Sequence, residues 1–97
     1  MRVTYSPGAL AQLDEIFVYL GNDDPSAAAA LTERIERIIM LVGKFPQMGR
    51  LTDKPNVRVI GIPQYRYLIF YRILDEQDEV RILRVRHTSR RPLQGYR

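Results

Sequence analysis

The chain has no cysteine, a single histidine and only two lysines, Lys44 and Lys54. Without cysteine it forms no disulfide, offers no thiolate nucleophile and holds no metal through sulfur, and a reducing cytoplasm is the expected compartment. Long apolar runs are also missing. None exceeds about five residues, the length of Ile38 to Val42, which falls far short of the roughly 18 residues that mark a membrane helix. The first residues, MRVTYSPG, lack the apolar stretch and cleavage site of a secretory signal, so export is not expected. There is no Walker-type loop, no Rossmann glycine pattern, no paired His-Glu zinc motif and no internal repeat, and neither cofactor nor metal is expected.

One more absence is local. Residues 81 to 97 contain no acid but carry Arg81, Arg84, Arg86, Arg90, Arg91 and Arg97, a balance of +6, while the other eighty residues hold nine basic against eleven acidic groups. The whole basic excess of a chain with net charge +4 therefore sits in its C-terminal segment. Arginine presents a planar, bidentate, weakly hydrated cation suited to carboxylate or phosphate, so this clustering points to an anionic partner.

With 97 residues, 45% of them apolar and 27% charged, the chain is expected to form a single globular domain over 1–97. Residues 2 to 5, RVTY, alternate like a short strand. Ser6 and Pro7 then read as the cap and first residue of a helix, with Leu10, Leu13, Phe17 and Leu20 as its apolar stripe and Gly21 as its end. Asp24 and Pro25 repeat the start signal, and Leu31, Ile35, Ile38 and Val42 form a second stripe before Gly43. Residues 7 to 43 thus predict an antiparallel helical hairpin, which needs a further apolar surface to be stable. Three strand candidates offer it: 57 to 62 (VRVIGI), 67 to 74 (YLIFYRIL) and 79 to 86 (EVRILRVR). The turn-rich segment 45 to 56 precedes them, and the short turns PQYR and DEQD separate them. The expected fold is α+β: an N-terminal strand, a helical hairpin and a three-stranded meander, forming a mostly antiparallel sheet against the helices.

In the last strand each face changes character halfway, with Val80 and Ile82 followed by Arg84 and Arg86 on one parity, and Glu79 and Arg81 followed by Leu83 and Val85 on the other. Either a bulge switches the strand near Leu83, or the middle is covered on both sides. Both place Arg84, Arg86 and His87 at the same exit.

Metal-free RNA cleavage needs a base, an acid and cations for the charged phosphorus intermediate. His87 could be base or acid, Arg84, Arg86, Arg90 and Arg91 could hold phosphate, and Tyr96 could act as weak acid or stacking platform. A lone histidine at a strand end is more often a hydrogen-bonded structural residue. Tyr65, Tyr67, Phe70 and Tyr71 could stack bases, although strands are rich in aromatics that pack in cores. Arg66 and Arg72 beside them read as a solvated face. The acidic Asp75, Glu76, Asp78 and Glu79 read as a solvated hairpin turn and not as a metal site.

Taken together, the first strand, the helical hairpin, FPQMGR at 45 to 50, YLIFYRI at 67 to 73 and ILRVRH at 82 to 87 resemble the RelE/ParE superfamily of type II toxin-antitoxin toxins, and within it the ParE branch. That resemblance implies a compact toxin neutralised by a ParD-like antitoxin in a hetero-oligomeric complex, with DNA gyrase as the target and no catalytic set. RelE-like members, which cut messenger RNA on the ribosome, typically have arginine where this chain has Leu68. Their lysine cluster is also absent here, although Arg58 is present. The alternative is such a ribosome-dependent endoribonuclease, using His87, Tyr96 and Arg86. On the ParE-like reading, the candidate target- or antitoxin-binding residues are Arg58, Arg66, Arg81, Arg84, Arg86, His87, Arg90 and Arg91.

Overall fold

A computed structural model describes residues 1–88. The chain runs β1 (Arg2–Tyr5), α1 (Pro7–Asp23), α2 (Pro25–Lys44), a 3-10 turn (Pro46–Met48), β2 (Arg50–Leu51), β3 (Val57–Ile62), β4 (Tyr67–Leu74), a second 3-10 turn (Asp75–Gln77) and β5 (Glu79–His87). The expected α+β fold is observed, as a two-layer domain. The sheet order is β1-β5-β4-β3-β2, parallel between β1 and β5 and antiparallel elsewhere.

Both helix starts follow from local chemistry. The Ser6 hydroxyl accepts the Ala9 N–H at 3.0 Å and the Asp24 carboxylate accepts the Ala27 N–H at 3.1 Å, each ahead of a proline whose missing N–H needs no partner. The ends differ from expectation. Gly21 lies inside α1, which continues to Asp23 because the next cap, Asp24, is what redirects the chain. Gly43 lies inside α2 and serves packing: a Cβ there would sit 3.0 Å from Val3 Cγ2 and 3.3 Å from the Met1 carbonyl oxygen, so glycine lets the helix approach β1.

The phase of α1 also departs from the expected stripe. Ala9 and Ile16 are buried, and Leu13 and Leu20 pack beside them, at spacings of four, three and four. Leu10 and Phe17 are 54% and 36% exposed. Both apolar sets have helical period, and only packing decides which one faces the sheet. In α2 the buried residues are Leu31, Ile35, Ile39 and Val42, with Ile38 half-buried at their side. They meet Ile62, Ile69, Tyr71, Val80, Ile82 and Val85 from the sheet to form the core.

The turn-rich segment after α2 contains an element that alternation did not reveal, the two-residue edge strand β2. It is held by a buried latch. The hydroxyl of Tyr71, wholly buried, donates to the Pro46 carbonyl at 2.6 Å and accepts the Gly49 N–H at 2.9 Å. Burial raises the Tyr71 pKa, opposed by the Gly49 hydrogen bond and the nearby charge of Arg58. Arg58 ties the same segment down, donating to the carbonyls of Gly49 at 2.7 Å and Gln47 at 3.3 Å.

Candidate interaction surface

The changing alternation of β5 is resolved by a bulge. Tyr71 pairs with Ile82 and Phe70 with Arg84, which leaves Leu83 as the extra residue. Two side chains from the start of the chain serve the backbone here. The Ser6 hydroxyl donates to the Leu83 carbonyl at 3.0 Å, and the Val85 N–H donates to Gln12 Oε1 at 2.7 Å. β1 has ended by this point, its last pair being Tyr5 with Ile82. Beyond it, Ser6 and Gln12 supply what a neighbouring strand would have supplied.

The bulge sorts side chains by face. Val80, Ile82 and Val85 enter the core, and His87, opposite Tyr67, follows them on the helix side of the sheet. Arg81, Arg84 and Arg86 take the opposite side, in register with Arg72, Phe70 and Leu68. Arg72 thereby joins the basic face, which its place between apolar residues of β4 did not indicate. Its guanidinium reaches the Pro55 carbonyl at 3.4 Å.

Not every arginine on this face is available. Glu79, expected in a solvated acidic turn, is instead 4% exposed, because it opens β5 beside β1. Its carboxylate accepts Nε and Nη2 of Arg81 at 3.2 and 3.0 Å, Nη2 of Arg2 at 3.2 Å, and the Thr4 hydroxyl. The Thr4 hydrogen bond, with those of Arg81 and the charges of Arg81 and Arg2, holds the Glu79 pKa below the usual range against the opposing effect of burial. A carboxylate with a lowered folded-state pKa stabilises the fold above its unfolded value of about 4.3, and that contribution disappears as pH falls through the folded value. The midpoint of urea unfolding should therefore decline as pH is taken below about 4, and Glu79→Gln should flatten that decline while lowering stability at neutral pH.

Of the remaining candidates, Arg58 is committed to the β2 segment as described. Arg66 sits in the β3–β4 turn at φ 57°, exposed, and its carbonyl accepts the Thr88 N–H at 2.7 Å. Arg84 is half-buried and forms no ion pair among the described residues. Arg86 is half-buried beside it in register. Arg90, Arg91 and Tyr96 lie outside the described residues. His87 meets Tyr67 edge to face with ring centroids 5.0 Å apart. With Arg86 it borders a cavity of about 360 Å³ against Gln12, Glu15, Ile16 and Tyr19 of α1. By register His87 and Arg84 thus leave the strand on opposite sides, while Arg86 and His87 both border the one cavity. Of the tyrosines weighed as stacking surfaces, Tyr71 is core and Tyr65 and Tyr67 are half-buried against it.

Sequence reasoning passed over Gln12, and it read Arg72 as part of a solvated face and Glu79 as part of a solvated turn. The register of β4 on β5 would have revealed Arg72, but Gln12 and Glu79 find partners more than seventy residues away and carry no local signal. Leu10, Phe17 and Val18 of α1 and Leu41 of α2 also remain exposed, as does Met40 beside Val3 and Tyr5 of β1, and apolar side chains left open in this way suit contact with a partner chain.

Residues 3–92 match the family described as the ParE toxin of the type II toxin-antitoxin system, parDE. The chain is 35% identical over 86 residues to the protein Y4kP of Sinorhizobium fredii, covering 89% of this chain and 86% of that one. It is 30% identical over 89 residues to toxin RelE2 of Caulobacter vibrioides, covering 92% and 97%. In fold it is similar to a chain of the chromosomal ParDE system of P. aeruginosa, with TM-score 0.71 and 22% identity over 92% of this chain and 97% of that one. A chain of the intact E. coli RelBE toxin-antitoxin complex superposes with TM-score 0.73 and 19% identity over 92% and 98%.

Proposed function

Because the chain belongs to the ParE toxin family of type II toxin-antitoxin systems, we propose that it poisons DNA gyrase by binding and is neutralised by a ParD-like antitoxin. The observation that carries this reading is the grouping of Arg72, Arg84 and Arg86 in register with one another on β4 and β5, with His87 on the other parity of the strand from Arg84. A nuclease would need its acid or base within hydrogen-bond reach of a phosphate held by the cations. A binding surface needs only the cations together, with apolar neighbours, and Arg72, Arg84 and Arg86 beside Leu68 and Phe70 meet that requirement. An amphipathic antitoxin segment suits the exposed Leu10, Phe17 and Leu41 of the hairpin.

The test is a supercoiling assay with purified protein. Gyrase should be inhibited or should accumulate cleaved DNA. Arg84→Ala should weaken the effect by about 10- to 100-fold, the value of one charge-assisted contact, whereas His87→Ala should leave it intact. No effect on gyrase at toxin excess, together with transcript cleavage at ribosomal sites that His87→Ala abolishes, would replace this reading with the ribonuclease one.

A further inference from the structure

Two cavities, of about 360 and about 500 Å³, lie where α1 meets the start of β4 and the end of β5, and both are bordered by Tyr19, Tyr67 and His87. Together they form one cleft of the size that takes a small ligand. Its walls are fixed: Gln12 is tied to the Val85 N–H, the Tyr67 and His87 rings meet edge to face, and the Thr88 N–H holds the Arg66 carbonyl. Little ordering is left to do on binding. The β3–β4 turn on the far wall is strained, with Gln64 and Arg66 both at positive φ, 76° and 57°, a conformation that residues other than glycine seldom adopt. Strain of this kind gathers where a ligand is held.

Charge and hydrogen-bonding groups are ordered along this cleft. Glu15 and Arg86 border only the first cavity, one acid against one base, beside the apolar Ile16 and Val85. Arg66 borders only the second, where the described lining holds no acid. Gln12 and Glu15, three residues apart, share a side of α1. The Gln12 oxygen is committed to the Val85 N–H, so its amide N–H groups are the donors it presents beside the acceptors of Glu15. We infer that the cleft binds a guanine mononucleotide, with the base between Tyr19 and Tyr67, O6 on the Gln12 amide, N1–H and N2–H on the Glu15 carboxylate, and the phosphate on Arg66. The balanced first cavity suits an uncharged base, aromatic rings offer it a stacking surface, and the unbalanced second cavity suits an anion. Guanine brings two adjacent donors to one carboxylate, where adenine brings one. A nucleic acid needs a track of cations, and Arg66 and Arg86 alone among the described residues supply them here. The site goes beyond the gyrase reading, which rests on the basic face of Arg72 and Arg84.

The probe is GMP, titrated into the isotope-labelled full chain. Amide shifts should concentrate at Gln12 to Tyr19, Gln64 to Tyr67 and Val85 to Thr88. AMP and guanosine should each bind at least about tenfold more weakly, or roughly 1.4 kcal/mol, AMP for want of the second donor and guanosine for want of the phosphate. Glu15→Gln should abolish the preference for GMP over AMP. Arg66→Gly, which suits the positive φ, should bring GMP down to the affinity of guanosine. Both positions are exposed, so neither change should lower the thermal midpoint. Absence of shifts at millimolar GMP, equal binding of AMP, or shifts confined to Leu68, Arg72 and Arg84 would overturn the inference. GMP binding that both variants leave intact would overturn it too, as would displacement of GMP by an oligonucleotide without guanine, which gives the cleft to nucleic acid. Binding is measured without gyrase, so a protein that takes GMP but spares gyrase sinks only the target, and one that inhibits gyrase but ignores GMP sinks only the cleft.

Discussion

Tyr71→Phe should cost about 2–4 kcal/mol of stability, because it strips a buried N–H and a half-buried carbonyl of their shared partner at about 1–3 kcal/mol each. For a domain of this size that corresponds to a fall of roughly 10–25 °C in thermal midpoint, from a total stability on the order of 5–15 kcal/mol. The groups left behind are the Gly49 N–H and the Pro46 carbonyl. The opposite intervention should be as damaging. In Gly49→Ala the new Cβ would stand 2.6 Å from the Tyr71 hydroxyl oxygen, 2.9 Å from the Val59 carbonyl oxygen and 3.0 Å from Tyr71 Cε1. The first contact vanishes when the hydroxyl is removed, while the others persist. The double variant should therefore lose less than the sum of the two singles, by about 1 kcal/mol. Urea unfolding at constant m value measures all three. A Tyr71→Phe protein within about 0.5 kcal/mol of the parent would show that the latch does not hold the connector.

How far the fold could be read from the sequence depended on how local each signal was. Ser6-Pro7 and Asp24-Pro25 named both helix starts, since a cap acts within three residues. β3 and β4 lie at the expected limits, because turn formers bound them on both sides. The phase of α1 was not legible: Leu10 and Phe17 are as apolar as Ile16, and periodicity cannot say which set the sheet will cover. β2 was hidden for a related reason. Two residues are a strand only because Arg50 and Leu51 pair with Val59 and Arg58, and a pairing is a property of the folded chain.

The site shows the same division. That the alternation of β5 breaks near Leu83 was visible, and the bulge is one of the two readings it allowed. The consequence for function was not visible. A shift of one residue decides whether Arg84 shares a face with Ile82 or with Arg81, and so whether it joins Arg72 on the basic face. Arg81 illustrates the limit most clearly. It belongs by charge to the basic cluster, yet its guanidinium is taken by Glu79, which is buried only because Arg2 and Thr4 come alongside from the other end of the chain.

The bulge itself is the second place where a small change should have a large effect. Ser6→Ala removes the acceptor for the Ala9 N–H and the donor to the Leu83 carbonyl in one step. The cap is worth about 1 kcal/mol, and the orphaned carbonyl adds about 1–3 kcal/mol. Gln12→Met keeps much of the side-chain volume but leaves the Val85 N–H without its acceptor, again about 1–3 kcal/mol. Together they should cost about 3–5 kcal/mol, less than strict additivity because both hold the same three residues of β5. Hydrogen exchange separates this mechanism from a general loss of stability. In Gln12→Met the Val85 amide should exchange about tenfold faster or more, while the Ile69 and Ile82 amides, deep in the sheet, should change only with the global stability. Should the Val85 amide keep its protection, Gln12 is not the group that closes the strand edge. The placement of Arg84 and Arg86 on the basic face would then have to come from the β4 pairing alone.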